Sequence, residues 1–328
     1  MAHQIHDPGF GIKIGRNASR IVNADGTMNV RRYGERWHPS DVYHALLTMS
    51  WTRFILSSIL AYVLLNVAFG FVYQLIGTEH ILNSPEGTWI ENLETAMFFS
   101  AQTITTVGYG NLAPGTPLVS AIAALEALLG LFVFGIFTGI SFGRFSRIRP
   151  RITFSTTAII APFRDSTNAF MFRIVNERSS IVMDPSAQLM CVMQSSSEKD
   201  APRRYYQLPL DVPKISSLAM NWTLVHPITK DSPLWGLTEG DLHTLNAEFL
   251  VIITAIDDSV GQSFYARGSY VANEVVWGRR FEQMFWTDDV GTVELHLEKI
   301  HDTIPAELYP IPRTAEHDTV MYDDEVER

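Results

Sequence analysis

The chain has 328 residues, 46% of them hydrophobic and 18% charged, and a formal net charge of −10. An acidic balance of this size argues against nucleic acid as a partner, because phosphate backbones are held by clustered Lys and Arg. The single cysteine, Cys191, excludes an intrachain disulfide, and its apolar LMCVM setting points to a packed core thiol in a reducing compartment.

The first 39 residues form an N-terminal segment without the charged start, short apolar core and cleavage site of a signal peptide. Residues 40–50 set apolar Val42, Leu46, Leu47 and Met49 beside Asp41, His44 and Thr48, a pattern suited to a helix lying in a membrane interface. Ser40 with Asp41 is expected to cap its start. The run 51–76 carries one charge, Arg53, and is long enough to cross about 30 Å of hydrocarbon. A second run, 118–143, is broken only by Glu126 and small polar residues. These are two membrane spans. Between them, 90–103 is too short and too polar to cross and is expected to be a re-entrant pore helix. No Lys or Arg lies between Arg53 and Arg144, whereas Arg31, Arg32 and Arg36 precede the first span and Arg144, Arg147, Arg149 and Arg151 follow the second. The positive-inside rule therefore places both termini in the cytoplasm. Glu79, Glu86 and Glu91 make the outer turret acidic, which concentrates cations.

Between the pore helix and the second span, Thr106, Val107, Gly108, Tyr109 and Gly110 spell TVGYG. In a selectivity filter, the carbonyls of four such loops replace the hydration shell of K+, and here Thr106, Val107, Gly108 and Tyr109 would supply the K+ sites. Carbonyls that all point one way require backbone conformations that disfavour a side chain, so Gly108 and Gly110 are the permissive positions. Ba2+, similar to K+ in size, is expected to block. Glu126 is the lone carboxylate of the second span; its depth suits a hydrogen bond behind the pore helix better than an ion site.

From residue 152 the chain turns to short β-branched or alternating segments: ITFSTTAII, AFMFRIV, AQLMCVMQS, RRYYQLPL, EFLVIITAI, SFYARGSYV and TVELHL. An all-β domain over 146–312, built as a sandwich, is expected. It shows no G-x-G-x-x-G, no spaced metal ligands and no nucleophile motif, so an anchored enzyme finds no support. His38, His44 and His226 are isolated and expected to be structural. The acidic stretch 313–328 is expected to be a disordered tail.

The order of a pre-span helix, span, TVGYG, span and β domain, together with TLVHPITKDSPLWGLT (223–238), ARGSY (266–270) and ANEVVWGRRFE (272–282), resembles the inward-rectifier potassium channels, in particular their prokaryotic branch, KirBac. The resemblance covers roughly 41–312. It implies a membrane α plus all-β protein: two transmembrane helices with a re-entrant pore helix and filter, then a cytoplasmic immunoglobulin-like β-sandwich. It also implies a homotetramer in a prokaryotic inner membrane, a potassium channel with K+ as permeant ion and no cofactor.

Residue by residue, the resemblance places a bundle-crossing gate at Phe142, with helix packing as the alternative. Gly135 and Gly139 are matching bending points, although such glycines also serve close packing. The stretch 255–262 (AIDDSVGQ), with Ala255, Ile256, Asp257, Asp258 and Gly261, matches a second constriction, the alternative being a solvated hairpin. Asp184 matches an acidic cytoplasmic pore position, but its usual partner falls on Thr254 and the span's usual acid on Phe134. Rectification by Mg2+ or polyamines is therefore expected to be weak. A Glu–Arg pair that braces the filter in eukaryotic members falls on Gln102 and Leu112, so hydrogen bonds must brace it instead. Arg53, Arg144, Arg147, Arg149 and Arg151 are candidates for binding anionic lipids, including phosphoinositides, with topology alone as the alternative. The other functional class left open is a non-conducting sensor or scaffold of channel-like architecture.

Overall fold

The computed structural model describes residues 3–5, 9, 20–23, 25–31, 33–34, 38–146, 151–194 and 202–311; the expected tail at 313–328, together with Arg147 and Arg149, lies outside them. The chain divides into two units, 34–147 on one hand and 1–33 with 148–328 on the other.

Unit 34–147 is helical. Helix α1 (Pro39–Thr48) is capped at His38 rather than Ser40, with the Asp41 carboxylate accepting from the His38 N–H at 2.7 Å. Pro39 suits the first turn because its missing N–H would have no partner there. Helices α2 (Trp51–Ile76, 26 residues) and α4 (Pro117–Phe145, 29 residues) are each roughly 40 Å long, enough to cross a bilayer with tilt. Ser50 and Thr116 cap their N-termini. Helix α3 (Trp89–Ile104) starts at a capping box in which Thr88 and Glu91 satisfy each other's backbone N–H, so the Glu91 carboxylate serves the helix start as well as the turret charge. A two-residue ladder, Ile81–Leu82 against Ala113–Pro114, ties the segment before α3 to the strand that follows residues 106–110, and Asn83 Nδ2 adds a bond to the Asn111 carbonyl at 2.9 Å.

Helix α3 is wedged between the two long helices. On the α2 side, a Cβ at Gly70 would strike Met97; on the α4 side, a Cβ at Gly130 would run into the Ile104 carbonyl oxygen. Glycine is required at these two positions by close backbone approach. Tyr73, Ile81, Ala96, Phe99 and Val119 fill the space around the wedge.

The β unit is a two-sheet sandwich. One sheet runs in the order His3–Ile5, Arg204–Leu208, Val182–Met193, Glu248–Asp257, Gln262–Val271, with Ser217–Leu218 beside Val182–Met193. The other runs Asn221–Pro227, Asn168–Asn176, Ala158–Pro162, Val275–Trp277, with Ile152–Phe154 also on Asn168–Asn176. Their inner faces meet through Phe170, Phe172, Ile174 and Leu224 from one sheet and Leu189, Cys191, Phe249 and Ile253 from the other. Phe170 stacks on Phe249 at 4.2 Å between centroids. Cys191 is fully buried, and burial pushes its thiol pKa up. A short helix α5 (Glu239–Thr244) and a small hairpin, Phe285–Thr287 with Val293–Leu295, lie outside the two sheets.

An N-terminal segment is built into this domain. Ile21 and Val22 are buried against Met190, Val192, Tyr205 and Leu250, and the Glu248 carboxylate accepts both of their backbone N–H groups at 2.8–3.2 Å. Arg20 bonds Ser269 and pairs with Glu274 at 2.9 Å.

His226 sits among Trp222 and Leu224 on the inward side of its strand, with Nδ1 at 2.7 Å from the Pro209 carbonyl and Nε2 at 2.8 Å from Ser232 Oγ. Burial lowers its pKa from about 6.5 to about 4, so the folded state holds fewer protons than the unfolded chain between these values. Its contribution of about 3 kcal/mol is complete above pH ~6.5 and is lost as pH falls toward ~4. Thermal unfolding should therefore show a loss of stability over that window that His226→Gln reduces; an unchanged pH profile would place the acid sensitivity elsewhere.

Candidate ion-conduction site

Residues 106–110 leave the C-terminal end of α3 in an alternating backbone: Thr106, Gly108 and Gly110 have φ of +58°, +51° and +84°. Two of these are the expected glycines. Thr106 carries a side chain in the left-handed region, strain of the kind concentrated at functional sites. An alternation of right- and left-handed residues turns successive N–H groups to one side and their carbonyls to the other.

The amide side faces Gln102. The Gln102 carbonyl accepts from Val107 N at 3.0 Å and Gly108 N at 3.2 Å, while its side-chain Oε1 accepts from Tyr109 N at 3.2 Å. Gln102 Nε2 donates to the Leu112 carbonyl at 3.2 Å. One glutamine thus bridges both ends of the loop, linking the positions, 102 and 112, that a charged pair would occupy. In one chain Val107 is 54% and Tyr109 81% exposed.

Glu126 is fully buried and points away from this loop: it accepts from Tyr73 Oη at 2.7 Å and from Ser100 Oγ. It lies behind α3, the structural place rather than an ion site.

On α4 the packed face runs through Val119, Glu126, Gly130, Ile140 and Arg144, and the opposite face through Leu131, Gly135, Thr138 and Phe142. Phe142 is 74% exposed, and a Cβ at Gly135 or Gly139 would meet nothing within 4 Å. Packing inside one chain therefore explains none of the three.

Arg144 corrects the lipid set. It is buried, donating to the Leu46 carbonyl and, at 2.7 Å, to the Met49 carbonyl, and its guanidinium lies 4.7 Å from the ring centroids of both Trp51 and Phe54. It caps the C-terminus of α1, where a cation meets the unpaired carbonyls of the helix end, and its charge is not presented to headgroups. Arg53 and Arg151 are exposed.

In the β unit, Asp184 is not a free acid. Lys214 Nζ lies 2.8 Å from its Oδ2, a partner the sequence pattern did not reveal, and the backbone at Asp184 has φ of +54°. The stretch 255–262 closes the hairpin between Glu248–Asp257 and Gln262–Val271. Ala255 and Asp257 are buried, and the Asp257 carboxylate is engaged by Ser259 N at 3.0 Å and Ser259 Oγ. Neither can line a conduit. Ile256, Asp258 and Gly261 are exposed and keep that possibility.

The Ion channel family model matches residues 60–147, and the Inward rectifier potassium channel C-terminal domain model matches 152–319. Inward rectifier potassium channel Kirbac3.1 of Paramagnetospirillum magnetotacticum is 32% identical over 295 residues, 89% of this chain and 98% of its own. The chain belongs to the inward rectifier potassium channel family. Among its animal relatives, G protein-activated inward rectifier potassium channel 3 of Homo sapiens is 27% identical over 309 residues, covering 88% of this chain and 78% of its own. G protein-activated inward rectifier potassium channel 2 of Mus musculus is 27% identical over 313 residues, 88% and 72% respectively. A solved putative late embryogenesis abundant protein overlaps 38% of this chain and 71% of its own at 15% identity and a TM-score of 0.18, too slight a likeness to bear on the fold.

In this inward rectifier, Gln102→Leu removes the acceptor for Tyr109 N and the donor to Leu112 while leaving a side chain of similar size. The ratio of Rb+ to Na+ uptake should fall by about tenfold, the equivalent of about 1.4 kcal/mol, in line with the loss of one or two net hydrogen bonds. A wild-type ratio in folded protein would show that the backbone bonds to Gln102 O suffice.

Proposed function

We propose that the chain forms a homotetramer that conducts K+ through a filter made by Thr106, Val107, Gly108, Tyr109 and Gly110, with both termini on the cytoplasmic side of a prokaryotic inner membrane. The observation that carries this is the set of N–H groups at 107, 108 and 109, all turned back onto Gln102. Their carbonyls are left to face the opposite side, and a single chain provides only one wall of a coordination shell. The exposed Val107 and Tyr109, and the groove beside them lined by Tyr62, Phe98, Ala101 and Thr105, fit the approach of a neighbouring subunit.

Phe142 is the gate in this reading. Four phenylalanines on the unpacked face of α4 would make an apolar neck that excludes water and so excludes the ion. Gly135 and Gly139, free of close contacts, lie where α4 would bend to open it.

Weak rectification follows from the charges. Phe134 supplies none in the span, and Lys214 offsets Asp184, so Mg2+ and polyamines meet no concentrated acid on this chain at the positions that would hold them. Modulation by anionic lipids, phosphoinositides among them, rests on the exposed Arg53 and Arg151 with Arg147 and Arg149. Each such cation near an acidic leaflet adds about 1 kcal/mol of attraction.

Purified protein in liposomes under a K+ gradient should take up Rb+ and be blocked by Ba2+; equal Na+ and K+ fluxes would sink the filter assignment, and a folded tetramer passing no ion would favour a scaffold. Phe142→Ser should raise basal Rb+ flux by about tenfold, corresponding to about 1.4 kcal/mol off the barrier. Flux at or below wild type in an intact tetramer would move the gate to the hairpin at 255–262.

A further inference from the structure

A carboxyl group inside a membrane span needs a reason, because apolar residues would pack there without its desolvation. Glu126 is enclosed by three helices of its own chain. Ser100 of α3 donates to one carboxylate oxygen, Tyr73 of α2 donates to the other at 2.7 Å, and Asn66 Oδ1 lies 3.4 Å from Ser100 Oγ. All four residues are buried, and among the described residues no ion pair engages Glu126.

The tie sits on a specific seam. Glu126 and Gly130 are four residues apart on α4, hence on one face, and Ser100 and Ile104 are four apart on α3. The first pair of positions is joined by the Glu126–Ser100 hydrogen bond; the second is in backbone contact, with no room for a Cβ at Gly130. Rotation of α3 about its axis, or its slide along α4, breaks both. Ser100 and Gln102 are two residues apart on α3 and so project to nearly opposite sides, one onto α4 and the other onto the filter. A turn of α3 that releases Ser100 therefore moves the Gln102 groups that hold Tyr109 N and the Leu112 carbonyl.

We propose that Glu126 is a positioning residue for ion selectivity: through Ser100 on one side and Tyr73 on the other it fixes the rotation of the pore helix, and through that helix the placement of Gln102 against the filter. The carboxyl group touches no ion. Its function is to give one chain a two-sided acceptor that apolar packing lacks, so that α2, α3 and α4 lock in a single register. This rests on the K+ conduction proposed above, and the two can fail separately.

The test uses full-length protein in liposomes, with tetramer content measured by size exclusion and Rb+ and Na+ uptake and Ba2+ block measured per tetramer. A merely structural role would change the yield of tetramer and leave the uptake ratio alone. Ser100→Ala removes one hydroxyl and opens no large cavity; it should lower the Rb+ to Na+ ratio by about tenfold and weaken Ba2+ block. Glu126→Leu should do the same, leaving the Tyr73 hydroxyl without its acceptor and Ser100 with only the longer bond to Asn66 Oδ1, whereas Glu126→Gln retains an acceptor and adds a donor to the Ser100 hydroxyl, and should recover most of the ratio. Ser100→Ala tetramers with wild-type ratio and Ba2+ sensitivity would overturn the proposal whatever the leucine variant does. A wild-type protein without selectivity would remove the filter assignment itself, and with it the object that Glu126 is said to position.

Discussion

A carbonyl oxygen is free to hold an ion only if the peptide it belongs to is held from its other side. The backbone of residues 106–110 is built to that constraint. In this chain the holding group is Gln102, whose carbonyl and side chain together take the N–H groups of Val107, Gly108 and Tyr109. The arrangement works only if Gln102 stays still. It is therefore carried on a capped helix wedged against glycines on both flanks and tied by the turret ladder beyond the filter. The positive φ at Thr106 is the local strain that this framework sustains.

Two charges that invite functional assignment are engaged by their own surroundings. Arg144 faces the last carbonyls of α1 and two aromatic rings, so it fastens α1 to the C-terminal end of α4. Trp51 continues that fastening through a tilted ring contact with Phe145 at 4.6 Å between centroids, and Phe54 by stacking on Phe137 at 5.3 Å. These contacts join α1 and the start of α2 to the segment of α4 that carries Phe142. Asp184 with Lys214 likewise forms an ion pair of nearly zero net charge, and half-exposed pairs of this kind act through charge cancellation more than through stability.

Much of this was legible in the sequence where a single physical rule dominates. Length and hydropathy gave bounds within a residue or two of α2 and of the end of α4, because 51–76 is a 26-residue run with a single charge. TVGYG marks the loop of alternating backbone at 106–110, and the substitution of Gln102 and Leu112 for a charged pair pointed to the hydrogen bonds that Gln102 makes there. Alternation found most of the longer strands of the sandwich. It missed Asn221–Pro227, where His226 occupies an inward position and breaks the apolar pattern, and it joined Ile152–Phe154 to Ala158–Pro162 across a break that Ser155 fills by bonding to the Arg173 carbonyl. The N-terminal docking of Ile21 and Val22 onto Glu248, and the partners of Arg144 and Asp184, depend on contacts between residues far apart in sequence. No local periodicity encodes such contacts. At the hairpin 255–262, a motif match cannot say which side of an alternating strand faces inward, and so it includes Ala255 and Asp257, which are buried.

In the proposed filter, the carbonyls opposite Gln102 select K+ by replacing its water. The most direct measurement is the reversal potential of current through the purified protein in a planar bilayer with K+ on one side and Na+ on the other. Selection by the filter predicts a strongly displaced reversal potential of the sign that K+ permeation dictates, abolished by Ba2+ together with the current. A reversal potential at zero, with current that Ba2+ leaves intact, would contradict the account.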